Sequence, residues 1–495
     1  MGLSISSRFT AVALPATLAA LAACAVGPNF HRPAAPTTAD YGNAPSQGST
    51  AAAPGAGGAA QQFAAGMDIP GQWWELFQSP QLSAMVGQAL KANPTMDAAH
   101  AALREAQDLY KARRATLFPS VQGEFGATRS QYATNTLTAP TVASSSIYNL
   151  FTAQLSLSYM PDVFGGQRRA LEATRAAVAG TRFELIATYV TLSSNVVATA
   201  VQEASLRGQV ESTERLLELQ HELTQTVQTR RGIGTASNAE LLAQQAAEAQ
   251  IAATLPPLRK QLGQTRDALT ALLGRLPAQE PAETFRFEDL TLPATLPVSL
   301  PSKLIEQRPD VRQAEENLHA ASAQAGVALA NMLPQFVITA DTGSTALEIG
   351  HLFGPYTGFW DLGASLTQTL FDAGALIYRH RAADDALDQA AAQYRATVIL
   401  ACQNVADTLR ALQADADALQ ANAEADRAAK ASFDLAREQY RIGTVSLVAL
   451  LNSEQTYRQS EIAFVQAEAN RYADTAGLFQ ALGGGWWNLP EATFK

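Results

Sequence analysis

Residues 148–159 read YNLFTAQLSLSY, and the pattern in this stretch determines how the fold is interpreted. Apolar side chains occupy the odd positions from Phe151 to Tyr159, and polar side chains occupy the even positions from Thr152 to Ser158. Strict alternation is typical of a β-strand with one apolar face and one polar face. Its length is close to the roughly 9–11 residues that a tilted strand needs to cross a bilayer.

Three other stretches alternate in the same way. Residues 359–370 alternate clearly, whereas residues 121–130 and 335–342 alternate more weakly. Aromatic residues lie near the ends of these stretches, as in the girdles of membrane barrels; they are Tyr148, Tyr159, Phe336 and Trp360. A soluble sheet packed on helices produces the same alternation, so the strands alone leave both interpretations open.

The membrane interpretation requires more than one chain. Four strands are too few to close a barrel, because membrane barrels have at least about eight. Unpaired sheet edges are not tolerated in lipid, where no water satisfies the backbone groups. Several copies of the chain must therefore combine their strands.

The chain contains an internal repeat. Pro94 and Pro119 are 25 residues apart, and so are Pro309 and Pro334. The segment RGIGTAS at 231–237 matches YRIGTVS at 440–446, and a Leu-Leu pair follows each segment at the same distance. These matches occur in the same order, which predicts a tandem duplication. Each half is expected to contain a helix of roughly 30 residues, two strands, a very long helix, a Gly-Thr turn and another long helix.

The long helix of the first half is expected between Gln167 and Thr229, where no proline occurs. As one helix, this stretch would be about 95 Å long at 1.5 Å per residue. Apolar residues recur in it at helical steps of three and four; they are Leu185, Tyr189, Leu192, Val196, Val197, Ala200 and Val201. Helices of this length cannot fold onto a compact core, so we expect a bundle or tube.

The N-terminus has the layout of a secretory signal, with Arg8 followed by an apolar run that ends Leu-Ala-Ala-Cys at 21–24. This ending resembles a bacterial lipobox, which implies cleavage before Cys24 and lipidation of that residue. An ordinary signal peptide with a chance cysteine is the alternative. No other segment approaches a transmembrane helix in length and apolar composition. Residues 34–65 are rich in Ala, Gly, Pro, Ser and Thr and are predicted to be a flexible tether that buries little.

Composition argues against several functions. The net charge is −10 and no Lys/Arg-rich run occurs, which disfavours nucleic-acid binding. The sequence contains neither a phosphate-binding loop nor a G-x-S-x-G elbow, and its six histidines have no metal-ligand spacing. Cys402 is expected to be a small buried residue. We therefore predict neither an enzyme nor a metal or cofactor site.

Six segments together carry a family resemblance. They are CAVGPNFHRP at 24–33, WWELF at 73–77, NP at 93–94, RPDV at 308–311, LFDAG at 370–374 and YRIGT at 440–444. With the repeat and the strands, these segments resemble the outer-membrane factors of tripartite efflux systems, the TolC/OprM/NodT type. The resemblance covers nearly all of the mature chain.

The resemblance implies an α+β membrane protein built from two tandem repeats. Three chains would share a twelve-stranded antiparallel transmembrane β-barrel, four strands per chain, above a long periplasmic α-helical barrel. The expected boundaries are a signal peptide at 1–23, a lipidated N-terminus and tether at 24–70, a first repeat at 71–275, a Pro-rich equatorial linker at 276–301, a second repeat at 302–482 and a C-terminal tail at 483–495.

The implied function is an outer-membrane exit channel that passively conducts small molecules from the periplasm to the exterior. Its partners would be two further copies, a periplasmic adaptor (membrane fusion protein), an inner-membrane transporter and outer-membrane lipid. The lipid on Cys24 would be its only attached group. The alternatives are a periplasmic coiled-coil structural lipoprotein without a pore, or a duct for metal-ion efflux or type I protein secretion.

The resemblance also assigns candidate positions at the periplasmic tip. The adaptor-docking candidates are Gly234, Thr235, Ser237, Gly443, Thr444 and Ser446. As an alternative, the hydroxyls only cap helices. Relatives often have aspartates just beyond the second turn, around the aperture, but the matching positions here are Ala449 and Asn452. Glu240 is then the nearest acidic aperture candidate, or else a solvated helix charge.

Overall fold

The structure is a computed structural model that describes residues 25–38, 40–42, 44, 47–131 and 147–494. Cys24 and the predicted signal sequence lie outside the described residues. The chain forms two compact units. Unit 1 comprises Met1–Arg32, Arg104–Gly180 and Ala314–Tyr394, and unit 2 comprises Pro33–Leu103, Thr181–Gln313 and Arg395–Lys495.

The described residues contain strands and helices in a repeated order. The strands are β1 Gln62–Ala65, β2 Ser120–Gln131, β3 Ile147–Tyr159, β4 Thr295–Val298, β5 Gln335–Ala346 and β6 Gly358–Thr367. The helices are α1 Pro80–Ala92, α2 Pro94–Ala115, α3 Gly166–Gly232, α4 Asn238–Ala252, α5 Leu255–Leu272, α6 Pro301–Gln307, α7 Pro309–Ala330, α8 Ala375–Arg441 and α9 Leu447–Ala481. The order helix, two strands, long helix, turn and helix thus occurs twice.

Unit 1 contains a four-stranded sheet in the order β2-β3-β5-β6, with every neighbouring pair antiparallel. All four predicted strands are present. The last one ends at Thr367, three residues earlier than predicted, because the chain turns towards α8 and the Gln368 side chain donates to the Met332 carbonyl, 3.1 Å away.

The register places apolar side chains on one face of this sheet and polar ones on the other. Val121 pairs with Leu157, Leu157 with Ala340 and Ala340 with Leu362, so these four share a row on the apolar face. The next row towards the far edge, on the opposite face, is polar and consists of Gln122, Ser156, Asp341 and Asp361. Trp360 and Leu362 are 79% and 70% exposed, so none of the described segments covers this part of the apolar face.

The four aromatic candidates lie at three heights in the sheet. Tyr159 and Phe336 lie towards the edge that joins the helices, and Tyr148 lies near the opposite end of β3. Trp360 is near the start of its own strand, but it pairs with Thr342, which pairs with Leu155 in the middle of β3. Its position arises because the β2–β3 hairpin extends beyond β6.

Helix α3 runs without interruption over 67 residues, as its lack of proline predicts. All seven residues of its predicted apolar stripe are buried. The prediction that no segment beyond the signal resembles a transmembrane helix is wrong in one respect. Within the described residues, α3 contains an 18-residue window that is long and apolar enough to cross a membrane, but 61% of this window is buried, as in an Ala/Val-rich core helix.

Equivalent aspartates begin the long helices of the two halves. Asp162 accepts from the backbone N–H groups of Gln167 and Arg168, both at 2.9 Å. Asp372 accepts from Gly374 at 2.9 Å and from Leu376 at 2.8 Å. These bonds satisfy donors that the first turn of a helix leaves unpaired.

Three helices are shorter than predicted. Helices α2 and α7 have 22 residues each, because the chain leaves each helix before Pro119 and Pro334 to enter the sheet. The helix after the first Gly-Thr turn is broken into α4 and α5 at residues 253–254. Pro256 and Pro257 have no N–H to continue α4 and instead lie in the first turn of α5. Its counterpart α9 has no proline and runs unbroken.

The prediction of a flexible tether is wrong for residues 47–65. Strand β1 pairs in parallel with β4 in unit 2. The buried Gln61 side chain donates to the Pro293 carbonyl at 3.0 Å and to Thr475 Oγ1 at 3.1 Å. Arg471, which is 0% exposed, donates to the Ala59 carbonyl at 3.0 Å. Buried polar side chains, which leave no apolar periodicity in the sequence, hold this segment in place.

We expect Asp372→Ala to destabilise the protein by about 1 kcal/mol, because two backbone N–H groups at the start of α8 lose their acceptor. Thermal unfolding in detergent measures the change. Asp388→Ala, at an exposed position further along α8, is the control and should leave the midpoint unchanged. Equal effects of the two substitutions would contradict the capping role.

Candidate functional site

Two equivalent turns in unit 2 carry the candidate docking residues. One lies between α3 and α4, and the other between α8 and α9. Gly234 and Gly443 each have a φ of +79°, a left-handed conformation that strongly favours glycine. An added Cβ would meet no atom within 4 Å at either position, so backbone strain and not space requires glycine there.

The four candidate hydroxyl groups form hydrogen bonds within these turns. Thr235 donates to the Arg230 carbonyl at 3.0 Å, and Thr444 donates to the Gln439 carbonyl at 3.1 Å. Ser237 accepts from the Glu240 N–H at 3.1 Å, and Ser446 accepts from the Ala449 N–H at 3.3 Å. The threonines thus close the preceding helices and the serines cap the following ones. These contacts favour the capping interpretation of the hydroxyls.

The three aperture candidates differ in their contacts. Glu240 accepts from the Ser237 N–H at 2.8 Å and completes a capping box at the start of α4. The equivalent residue, Ala449, has no side chain for this bond. Asn452 lies exposed on α9, as does Ala449. The start of α4 is therefore capped reciprocally by Ser237 and Glu240, whereas the start of α9 is capped only by Ser446.

The turns also present apolar side chains that the sequence analysis did not single out. Ile233 and Ile442, which occupy equivalent positions, are 73% and 61% exposed, and Leu242 and Val448 are exposed nearby. The sequence signal was an isoleucine directly before the left-handed glycine in both turns. Each turn thus offers a hydrogen-bonded backbone with an apolar residue on its surface.

The residues that follow the predicted lipid site are bound within unit 1. The Val26 N–H donates to the Phe164 carbonyl at 3.0 Å, in the connection between β3 and α3. The buried Arg169 side chain donates to the Val26 carbonyl at 3.1 Å and to Asn29 Oδ1 at 2.6 Å. The Phe30 ring stacks on His319 with centroids 4.4 Å apart. These contacts therefore hold the chain just after Cys24 at the end of the sheet where the strands connect to the helices.

Within the described residues, no group of three or more His, Cys, Asp and Glu side chains could hold a metal ion. Cys402 is half-buried, not buried as predicted, because it follows the buried Ala401 on α8 and lies at the edge of the packed face. Burial raises the pKa of its thiol, which keeps it protonated.

A model of the outer membrane efflux protein family matches residues 85–275 and 300–484, most of the chain. The chain belongs to this family. It is an outer-membrane exit channel for efflux, located in the bacterial outer membrane and extending into the periplasm. The resemblance found in the sequence is thereby confirmed.

Similar proteins agree with this assignment. The chain is 29% identical over 439 residues to the pyoverdine export outer membrane protein OpmQ of Pseudomonas putida, covering 88% of this chain and 92% of the relative. It is 27% identical over 480 residues to the probable efflux pump outer membrane protein TtgC of Pseudomonas putida, covering 96% of each. The solved outer-membrane channel OprN aligns with a TM-score of 0.83 and 26% identity over 94% of this chain and all of that chain. The fold is that of TolC-like outer-membrane channels.

In this efflux channel, an apolar cluster joins the four helices that meet at the two turns. Its members come from α3, α4, α8 and α9; they are Leu216, Val227, Leu241, Ala429, Phe433, Tyr440, Leu447, Leu450 and Tyr457. The Phe433 and Tyr457 rings stack with centroids 5.7 Å apart. The Arg230 guanidinium lies 5.2 Å from the centre of the Tyr440 ring. The cluster fixes the two helical hairpins against each other.

Glu454 lies on the same face of α9 as Leu450 and Tyr457, and it is only 6% exposed. Burial raises the pKa of its carboxyl group to about 7, although the nearby Arg458 lowers it. Its Oε2 atom is buried and has no hydrogen-bond partner among the described residues. A charged carboxylate is costly in this position, so the folded hairpin favours the protonated form.

Because the folded-state pKa of Glu454 exceeds its ordinary value, the folded protein binds this proton more tightly than the unfolded chain. Stability is therefore lost as the pH rises from about 4.5 to about 7. We expect Glu454→Gln to reduce the difference between the thermal midpoints at about pH 5 and about pH 8. Glu468 and Asp474, whose pKa values burial also raises to about 7, would maintain a smaller difference.

Glu424→Gln is the control for this measurement, because Glu424 is exposed on α8. It should leave the pH dependence as it is in the unmodified protein. A full pH dependence in the Glu454→Gln variant would show that the buried carboxyl group does not control the stability of the hairpin.

Proposed function

We propose that three copies of this chain combine their sheets into a twelve-stranded β-barrel in the outer membrane, continued by a periplasmic barrel of α-helices. The observation that carries this proposal is the sheet of unit 1. It has an uncovered apolar face, and its outer strands β2 and β6 each have a neighbour on one side only. Lipid does not tolerate such edges, and joining β6 of one copy to β2 of the next removes all of them.

The proposed architecture has the boundaries expected from the sequence. Residues 1–23 form the signal peptide, 24–70 the lipidated N-terminal segment, 71–275 the first tandem repeat, 276–301 the equatorial linker, 302–482 the second repeat and 483–495 the tail. The repeated element order and the equivalent helix-capping residues Asp162 and Asp372 support the duplication. Residues 47–65 belong to the packed part of the N-terminal segment.

Conduction through this barrel is passive. The polar face of the sheet lines the lumen. Asp341 and Asp361 pair in one row of this face, and Glu124 lies in the next row on the same face. The apolar face contacts lipid, with Tyr159, Phe336 and Trp360 as its aromatic contacts. Tyr148 does not belong to this girdle, because it pairs with Ser130 on the polar face. The cargo consists of small molecules, in keeping with relatives named for pyoverdine export and toluene efflux. The chain acts without an enzymatic step or a cofactor.

A covalent lipid on Cys24 anchors the chain. The contacts of Val26, Arg169 and Phe30 hold the following residues beside the edge of the sheet that joins the helices, which lies close to the bilayer if the sheet spans it. An acyl chain attached at residue 24 would then enter the leaflet that faces the periplasm.

The two turns form the docking tip for a periplasmic adaptor, which connects the channel to an inner-membrane transporter. Gly234, Thr235 and Ser237, with Gly443, Thr444 and Ser446, shape the turns, and Ile233 and Ile442 provide apolar contacts. Glu240, Ala449 and Asn452 lie at the aperture. The transporter supplies the energy for export.

The mass and conductance of the purified mature protein test the proposal. We expect a detergent-solubilised trimer that forms ion-conducting pores in a planar bilayer. A water-soluble monomer that does not insert into vesicles after delipidation would favour the non-pore structural lipoprotein. Export of metal ions or of a protein, but of no small molecule, in a strain lacking its own channel would favour the other two alternatives.

The acidic rows should make the pore prefer cations. We expect Asp341→Asn/Asp361→Asn to reduce this preference, because the substitution removes six carboxylates from a trimeric lumen. The reversal potential in a salt gradient measures it. Asp108→Asn/Asp267→Asn, which removes the same charge from helices, is the control. An unchanged reversal potential in the sheet variant would place the polar face outside the conduction path.

We expect Ile233→Glu/Ile442→Glu to weaken adaptor binding and efflux by about tenfold or more, because two apolar contacts are replaced by charges. Adaptor co-purification and efflux in a channel-deficient strain measure these effects. Single-channel conductance should be retained. Leu276→Glu is the control, since it changes an exposed leucine outside the turns. Normal adaptor binding by the double variant would remove the turns from the docking surface.

A further inference from the structure

Four helices connect to the sheet of unit 1, and all four connections are at the same end of its strands. Helix α2 precedes β2 and α7 precedes β5, whereas α3 follows β3 and α8 follows β6. Because neighbouring strands are antiparallel, these four connections lie side by side. We call residues 113–119, 160–169, 331–334 and 368–381 the helix–sheet junction.

The helix–sheet junction is basic, although the chain has a net charge of −10. It contains six arginines and only two aspartates. The arginines lie at three of the four helix ends; they are Arg113, Arg114, Arg168, Arg169, Arg379 and Arg381. The two aspartates are Asp162 and Asp372, which cap α3 and α8.

Four of these arginines have no carboxylate partner in the part of the chain that the structure describes. Arg168 pairs with Asp162 at 3.1 Å, and Arg169 holds the N-terminal segment and Glu172. In contrast, Arg113, Arg114, Arg379 and Arg381 form no ion pair with any of the described residues. The Arg381 guanidinium lies 5.7 Å from the centre of the Tyr378 ring. All four are exposed or half-buried. The protein thus presents guanidinium groups that it does not neutralise.

Arg379 and Arg381 are the fifth and seventh residues of α8, so they lie beyond its first turn, where the helix dipole acts most strongly. The first turn contains no acidic residue and is capped by the Asp372 carboxylate, and Asp384, Asp385 and Asp388 follow the arginines. Helix α8 itself therefore provides no electrostatic reason for two arginines at these positions. Arg113 and Arg114 lie at the C-terminal end of α2, where the dipole itself favours them, so α8 provides the stronger argument.

Exposed apolar side chains lie beside these arginines. Leu370 and Phe371 are 93% and 89% exposed in the connection from β6 to α8. Phe118, in the connection from α2 to β2, is also exposed. Apolar residues next to arginines are typical of a surface that contacts the boundary between lipid headgroups and acyl chains.

We propose that the helix–sheet junction binds anionic phospholipids of the leaflet that faces the periplasm. Arg113, Arg114, Arg379 and Arg381 contact the phosphate groups, while Leu370 and Phe371 reach the acyl region. This inference rests on the proposed function, since it requires the sheet to span the outer membrane. A bilayer lipid supplies both an anionic phosphate and an apolar chain, whereas an acidic protein surface would match only the arginines.

The assembled channel can be tested by the lipids that it retains. The trimer is reconstituted with equal amounts of phosphatidylglycerol and phosphatidylcholine, extracted in mild detergent, and its bound lipids are counted by native mass spectrometry. We expect the unmodified protein to retain phosphatidylglycerol preferentially. Arg379→Gln/Arg381→Gln should reduce this preference by about tenfold, and Arg113→Gln/Arg114→Gln should reduce it less. Raising the ionic strength should weaken the preference of the unmodified protein.

Arg395→Gln/Arg427→Gln is the matched control, because it removes two exposed arginines from the same helix beyond the helix–sheet junction. It should retain phosphatidylglycerol as the unmodified protein does. A conducting trimer whose lipid preference is unchanged in both junction variants, or is reduced equally by the control, overturns this inference and leaves the proposed function intact. If the unmodified chain forms no membrane-inserted trimer, the proposed function fails and the lipid site fails with it.

Discussion

The hydrogen-bonding capacity of the backbone at the edges of one sheet constrains the rest of this protein. Strands β2 and β6 each leave a row of N–H and C=O groups without a neighbour in the four-stranded sheet. In water such edges are a liability that proteins cover or charge, and in lipid they are not tolerated. The apolar row of Val121, Leu157, Ala340 and Leu362 makes lipid its natural environment. The proposed association between copies therefore rests on the same strands as the membrane position.

The helices obey a different constraint, since their packed faces contain buried polar groups. Glu203 is buried on α3 between Arg207 and Arg266, each 2.7 Å away. Arg471 is buried on α9 and donates to backbone carbonyls of the N-terminal segment and of α8. Such groups stabilise little overall but are costly to separate from their partners. They favour one register of helix against helix, which a uniform Ala-rich stripe would leave poorly defined.

Strong periodic signals in the sequence were sufficient to predict much of this fold. The alternation at 148–159 and the absence of proline between Gln167 and Thr229 predicted β3 and α3 correctly, because each signal extends over many residues. The packing of residues 47–65 was missed. Its basis is a set of single long-range bonds, such as Gln61 to Thr475, that no local pattern encodes. The break at residues 253–254 was missed as well, although Pro256 and Pro257 marked it in the sequence.

In the candidate site, too, the features with a local sequence pattern were predicted and those that depend on long-range packing were missed. The repeated segments RGIGTAS and YRIGTVS located both turns, because a left-handed glycine and a capping serine are local requirements. Glu454 was missed, because only its packing between Leu450 and Tyr457 distinguishes it from a solvated glutamate.

The two hairpins share the same turn but differ in how their second helices are capped and packed. In the first hairpin, Ser237 and Glu240 cap the start of α4 on the surface. The helix that follows the turn is interrupted at residues 253–254, between α4 and α5. The second lacks the acidic cap at Ala449, but its unbroken helix α9 carries Glu454, Glu468 and Asp474, and burial raises the pKa of each to about 7. Because protons stabilise these buried carboxyl groups, the packing of the second hairpin depends on pH near neutrality, whereas the surface cap of the first does not involve burial. The two hairpins thus share the same backbone turn, but the packing of the second is the more sensitive to pH.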